Sequence, residues 1–259
     1  PPTYHQGMVL FGSRDGWMYC LRASDGELVY RFKDLPDRLI CTFGQLESAW
    51  PISGSVLIRD DKVYFAAGRQ SFLDGGMFLY GLDPASGKLL NSRAVYGPFD
   101  ETTGFPAASK GSATAAGFRN GILVSRDGAI HLRQKTFSAD LSDASAEKPH
   151  ILPLSGFLDA QPQHRTGWVL ASSVVWWQPA LRDILVSDGT ETYAVEGFPV
   201  YHNHSYFDPR RSGYKLIATT MKPPPAAAVE ETSGAPKAKG KKGKKSRKNG
   251  NVERIGEFC

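Results

Sequence analysis

The sequence predicts an all-β fold built from small antiparallel sheets repeated along the chain, and three observations predict it. Residues 7–32, GMVLFGSRDGWMYCLRASDGELVYRF, hold three short strand patterns parted by two Asp-Gly turns. The same pattern returns, degraded, further along. The composition, with 27 glycines and 17 prolines in 259 residues and few Ala- and Leu-rich helical runs, favours strands and turns over helices.

Residues 8–12 form a β-prone apolar run, residues 17–22 alternate large apolar with small or polar side chains, and residues 27–32 end a third strand on Phe32. Asp15-Gly16 and Asp25-Gly26 lie between them. Glycine reaches positive φ without a Cβ clash, so each pair reverses the chain and the three strands make a meander. So small a meander cannot cover its own apolar face and needs copies to pack against. Ser125-Arg126-Asp127-Gly128 repeats Ser13-Arg14-Asp15-Gly16 letter for letter, again between apolar strands. Residues 63–68 and 75–88 give another copy, with Tyr80, Leu82 and Gly87 standing where Tyr19, Leu21 and Gly26 stood, and residues 185–195 give one more. The turn glycines Gly16, Gly76, Gly128 and Gly189 recur every 52 to 61 residues. That spacing suits a four-stranded antiparallel blade with loops of variable length, and so a β-propeller.

The repeat of an apolar strand, Asp-Gly, aromatic-x-Tyr-x-Leu, then Ala/Pro-x-x-Gly-Lys/Glu and a further strand resembles that of quinoprotein-like (pyrroloquinoline-quinone-type, PQQ-like) β-propellers, over residues 7–195. In that family a tryptophan after the last glycine docks one blade on the next. Here Tyr30 holds that place after Gly26 and Asn91 holds it after Gly87. The family usually has about six to eight blades. The four units recognisable here are therefore expected to be an incomplete ring from a larger propeller, with the start at Pro1 a cut or processed end. Residues 1–221 are assigned to the blades, residues 222–251 to a disordered Pro/Ala/Lys-rich insertion or linker, and residues 252–259 to the start of a further blade strand. The resemblance also implies an extracytoplasmic setting, periplasmic or secreted.

Between these units, residues 33–43 read as a charged, proline-bearing connector, and residues 45–51 lead into a strand over 54–58 that turns at Asp60-Asp61. Residues 69–76 are an insertion relative to the first unit, and insertions in repeats map to loops on one face. Glu47, Trp50, Arg69 and Asp74 are thus candidates for a polar, aromatic-lined pocket offering a carboxylate pair, a guanidinium fork and a stacking ring. The same residues allow a structural account, in which Arg69 pairs with Asp74 or Glu47 to fix the loop and Trp50 packs between blades. Further on, residues 91–111 read as a long loop, residues 140–149 as an exposed loop tip, and Trp176-Trp177 as the close of a strand pattern.

Three cysteines, Cys20, Cys41 and Cys259, lack metal-ligand spacing. Cys20 reads as a packed thiol, with a bridge to Cys41 open in an oxidising compartment. His202-Asn203-His204 offers two imidazoles to one face of a strand, but the neighbouring sequence supplies too few further ligands, so no metal site is assigned. Residues 237–248, opening on Lys237 and closing on Lys248, hold eight Lys or Arg, and without them the formal charge falls from +5 to −3. This tract can attract nucleic acid or an anionic surface through counterion release, yet no aromatic interleaves its lysines. No apolar run approaches the length of a membrane helix.

For chemistry, the sequence carries no phosphate-cradling glycine loop and no CxxC pair. Enzymes of the resembled family hold the quinone between a tryptophan floor and a vicinal disulfide, with calcium on Glu, Asn and Asp and an aspartate base. Adjacent cysteines are missing here, and no local motif marks the base. The reading leans away from an enzyme, toward a non-catalytic binding or scaffold propeller whose loops meet a protein, peptide or glycan. The alternative is a fragment of a quinone-dependent alcohol or sugar dehydrogenase using PQQ with calcium.

Overall fold

The computed structural model describes residues 2–42, 44–107, 117–145, 149–153, 168–171, 184–188, 190–196, 214–220 and 252–258. The segments holding Trp176-Trp177, His202-Asn203-His204 and the tract 237–248 lie outside them. All regular structure among the described residues is β, and the chain divides into two compact units, Pro1–Leu181 and Arg182–Cys259. No helix among the described residues is long and apolar enough to cross a membrane, which says nothing of a β-barrel.

In the first unit, β1 (Thr3–His5), β2 (Met8–Gly12), β3 (Met18–Arg22) and β4 (Leu28–Phe32) form a sheet in chain order, every neighbour antiparallel. A two-stranded ribbon follows, β5 (Leu39–Thr42) inside the expected connector 33–43 and β6 (Gln45–Ser48) inside the lead-in 45–51. The second sheet runs β7 (Leu57–Arg59), β8 (Lys62–Ala67), β9 (Met77–Leu82) and β10 (Leu89–Val95), so strand takes up residues 91–95 at the start of the expected long loop 91–111. The third runs β11 (Leu123–Arg126), β12 (Ala129–Leu132), β13 (Lys135–Phe137) and β14 (Asp143–Ala144). That last strand falls within the expected loop tip 140–149. A pair, β15 (His150–Pro153) with β16 (Trp168–Ala171), completes the unit's described strands. The second unit is one sheet in chain order, β17 (Ile184–Ser187), β18 (Glu191–Glu196), β19 (Tyr214–Thr220) and β20 (Val252–Phe258). Segment 252–258 thus pairs with β19.

The three four-stranded sheets of the first unit pack face against face, and the sequence of β8 shows why. Val63, Tyr64, Phe65, Ala66 and Ala67 are all buried. Val63, Phe65 and Ala67 join Leu10, Met18, Cys20 and Ile52 in one core against the first sheet, whereas Tyr64 and Ala66 join Leu123, Ile130, Leu132 and Phe137 in a second core against the third. A strand covered on both faces reads as a continuous apolar run, which is what KVYFAA is. Each fully buried Phe or Val there contributes about 1.5–3 kcal/mol of transfer free energy. Two tyrosines tie the layers with hydrogen bonds. Tyr30 Oη donates to the Pro84 carbonyl at 2.9 Å, its ring lying where a Cβ on Gly87 would come within 2.5 Å, and Tyr64 Oη donates to the Ala139 carbonyl at 2.8 Å. Tyr30 therefore makes the sheet-to-sheet contact its place in the repeat leads one to expect.

The matching Ser-Arg-Asp-Gly corners are not equivalent. Asp127-Gly128 is a two-residue turn between the first and second strands of its sheet, with both residues at positive φ (46° and 88°). Its counterparts are Gln6-Gly7 and Asp60-Asp61, which join β1 to β2 and β7 to β8, again with both turn residues at positive φ. Asp15-Gly16 instead belongs to a longer loop between the second and third strands, where Gly16 alone has positive φ and Ser13 N–H donates to the Trp17 carbonyl at 3.0 Å. Four of the sheets described are four-stranded.

Candidate functional site

The insertion 69–76 leaves β8 and returns to β9 through Asp74, Gly75 and Gly76, all at positive φ (54°, 82° and 110°). Aspartate tolerates the left-handed region better than most residues, and glycine does so freely. This bend aims the Asp74 carbonyl at the segment after β6 and its carboxylate at Arg38, just before β5, and at Arg69 in its own loop. There Trp50 Nε1 donates to the Asp74 carbonyl at 2.7 Å. The Asp74 carboxylate takes one guanidinium on each oxygen, Arg38 Nη1 on Oδ1 at 3.1 Å and Arg69 Nη2 on Oδ2 at 2.5 Å. The Arg38 guanidinium also lies 6.0 Å from the centre of the Trp50 ring, which packs at right angles to Phe78.

Three of the four residues singled out in the sequence, Trp50, Arg69 and Asp74, are thus brought together. Glu47 stands one step along the chain, facing Arg14 at 4.0 Å. Trp50 is buried rather than open as a stacking platform. Arg38 and Arg14 were not singled out. Arg38 sat in a segment with no periodicity to give it a face, and Arg14 was read only as part of a turn. The burial is lopsided: Asp74 and Glu47 side chains are 10% and 11% exposed, while Arg38, Arg14 and Arg69 are 57%, 43% and 33% exposed. Carboxylates rooted in the fold hold guanidinium groups at its surface. A guanidinium carries five N–H donors, so one bond to Asp74 leaves most of them to spend. Arg69 Nε is buried and has no hydrogen-bond partner.

Two other places carry polar chemistry. A shallow cleft is lined by Phe32, Lys33, Asp34, Phe65 and Tyr80 among others. Lys33 is spent on Asp37, while the buried Tyr80 hydroxyl lacks a hydrogen-bond partner and burial raises its pKa. Deeper in the unit, the rings of His131 and His150 stack at 3.7 Å, with Thr136 Oγ1 3.0 Å from His131 Nδ1. Among the described residues no group of three or more His, Cys, Asp or Glu is placed to hold a metal ion. Cys20 and Cys41 are both free thiols, one buried and one exposed, so the bridge left open by the sequence does not form.

No family model and no curated protein matches this chain. Among solved structures, the chain is similar to BamB from Moraxella catarrhalis at 12% identity and a TM-score of 0.40, over 74% of this chain and 54% of that one. It is similar to a europium-containing methanol dehydrogenase at 18% identity and a TM-score of 0.31, over 54% of this chain and 23% of that one. The computationally designed Ika8 protein gives 11% identity and a TM-score of 0.26, over 74% and 66%. The chain spans about half the length of BamB and less than a quarter of the dehydrogenase. Likenesses this low leave the site's chemistry to be argued from its own residues.

Proposed function

We propose that the chain is a binding or scaffold module, a non-catalytic propeller of PQQ-like repeats that engages a partner through loops on one face, in an extracytoplasmic setting. The observation that carries this reading is the set of surface guanidinium groups, Arg14, Arg38 and Arg69, anchored by the buried carboxylates of Glu47 and Asp74. These pairs neutralise carboxylates that are nearly buried, and they leave other guanidinium N–H groups facing water, where a ligand can reach them. The same geometry suits recognition, because the arginines are pre-oriented and lose little freedom on meeting a ligand. Trp50, Arg69 and Asp74 form the framework of this face, with Glu47 holding its Arg14 side.

The test is a peptide and glycan array probed with the full chain and with an Arg38→Ala variant. Losing a charge-assisted bond worth about 1.5–3 kcal/mol weakens binding by about tenfold or more, so the variant's signal should drop accordingly. A wild-type ligand bound equally well by Arg38→Ala would overturn the reading. So would reduction of an artificial dye with an alcohol or sugar once the quinone and calcium are added.

A further inference from the structure

The β5–β6 ribbon borders this face and has an exposed apolar side of its own. Its facing pairs are Leu39 with Ser48, Ile40 with Glu47, Cys41 with Leu46 and Thr42 with Gln45. Facing residues of an antiparallel pair share a side, so Leu39, Cys41 and Leu46 lie together. Leu39 is 60% exposed, Leu46 is 71% exposed and Cys41 is exposed with them. Ile40, on the other side, packs on the first core.

The phase of the ladder is fixed by two bonds. Ala49 N–H donates to the Arg38 carbonyl, continuing the ribbon, whereas Ser48 N–H turns outward to the Arg14 carbonyl, each at 2.9 Å. Hydrogen-bonded and non-bonded pairs alternate along an antiparallel ladder, so the main-chain groups of Leu39 and Cys41 point away from β6. Among the described strands β5 pairs with β6 alone, which leaves its outer edge free for pairing. Arg38, one residue before Leu39, has the parity of Ile40 and so belongs to the opposite side from the leucines.

Resting on the binding role proposed above, we infer that the free edge of β5 takes an extended acidic peptide as an added strand. Its main chain pairs with Leu39 and Cys41. Alternate side chains of a strand point to opposite sides, so apolar residues of the ligand lie beside Leu39 and Cys41, extending the strip that Leu46 continues on β6, while the intervening carboxylates meet the Arg38 side. A nucleic acid or sulfated glycan would satisfy the arginines but would leave both the amide edge and the leucine strip unanswered.

The probe is a fluorescently labelled decapeptide alternating Glu and Val, with a Lys-for-Glu counterpart and a heparin oligosaccharide as controls, titrated into the full chain. Because residues 237–248 also attract anions, every variant keeps them and is read against the wild type. The acidic peptide should bind at least about tenfold more tightly than the basic one, and Arg38→Ala and Leu39→Glu should each weaken it about tenfold. Both substitutions are at exposed side chains, and Leu39→Glu adds a like charge without removing any ion pair. Unchanged affinity in both variants, or binding of heparin in place of the peptide, would overturn the inference. If the array instead yields an Arg38-dependent ligand that is neutral or a glycan, the acidic strand is wrong and the binding role stands. Arg38-independent binding throughout removes both.

Discussion

His131 shows how burial, aided by neighbouring cations, ties the protonation of one side chain to folding. Its burial first, then the neighbouring His150 and Arg126, push its pKa from 6.5 down to about 4, against smaller opposing effects from a backbone bond at Arg126 and from Asp127. The unfolded chain therefore takes up a proton near pH 6.5, while the folded one stays neutral until about pH 4. Stability from this group is complete above pH 6.5, falls as the pH drops, and stops falling near pH 4, a total on the order of 3 kcal/mol. Urea unfolding at pH 7, 5.5 and 4.5 should show a decline that is shallower in His131→Gln than in the wild type. Equal slopes would mean that His131 is not held neutral by its surroundings.

At the scale of elements, the turn glycines differ in what they cost to replace. Gly26 has φ +78° with open space where a Cβ would sit, whereas Gly76 has φ +110° and a Cβ there would lie 2.4 Å from the Val95 carbonyl oxygen. Gly26→Ala should lower stability by about 1 kcal/mol, and Gly76→Ala by roughly 2–4 kcal/mol because backbone must also move. Denaturation midpoints of the two variants test this, and equal losses would contradict the packing of β9 against β10 at that corner. These same elements mark how far the sequence could be read. The strands of the first meander, the two-face burial of β8 and the docking role of Tyr30 follow from local patterns that packing then used. The letter-for-letter Asp-Gly match misled, because turn chemistry is local: Asp-Gly serves a two-residue turn at Asp127 and a longer loop at Asp15 equally well. The β5–β6 ribbon was missed for want of alternation over strands of only four residues, and the end of β10 because NSRAV is an outer edge without an apolar face. In the site, an insertion pointed to Arg69 and Asp74, but nothing local to Arg38 distinguishes it from any solvated charge.

For the molecule as a whole, the sheets of the first unit pack through two apolar cores, and under the proposed reading its loop 69–76 and ribbon β5–β6 carry the binding chemistry. The second unit repeats the four-stranded plan in its described residues. The claim on which the functional account depends is that ligands meet the first unit along Arg38 and the edge of β5. Cys41 stands on that edge as an exposed thiol, and Cys20 is a buried control whose thiol pKa burial raises. The most direct measurement is the alkylation rate of each cysteine, resolved by peptide mass spectrometry, with and without a saturating array ligand. The account predicts that Cys41 labelling slows several-fold when the ligand is bound while Cys20 stays slow throughout. Unchanged Cys41 labelling under saturation would place the ligand elsewhere and contradict it.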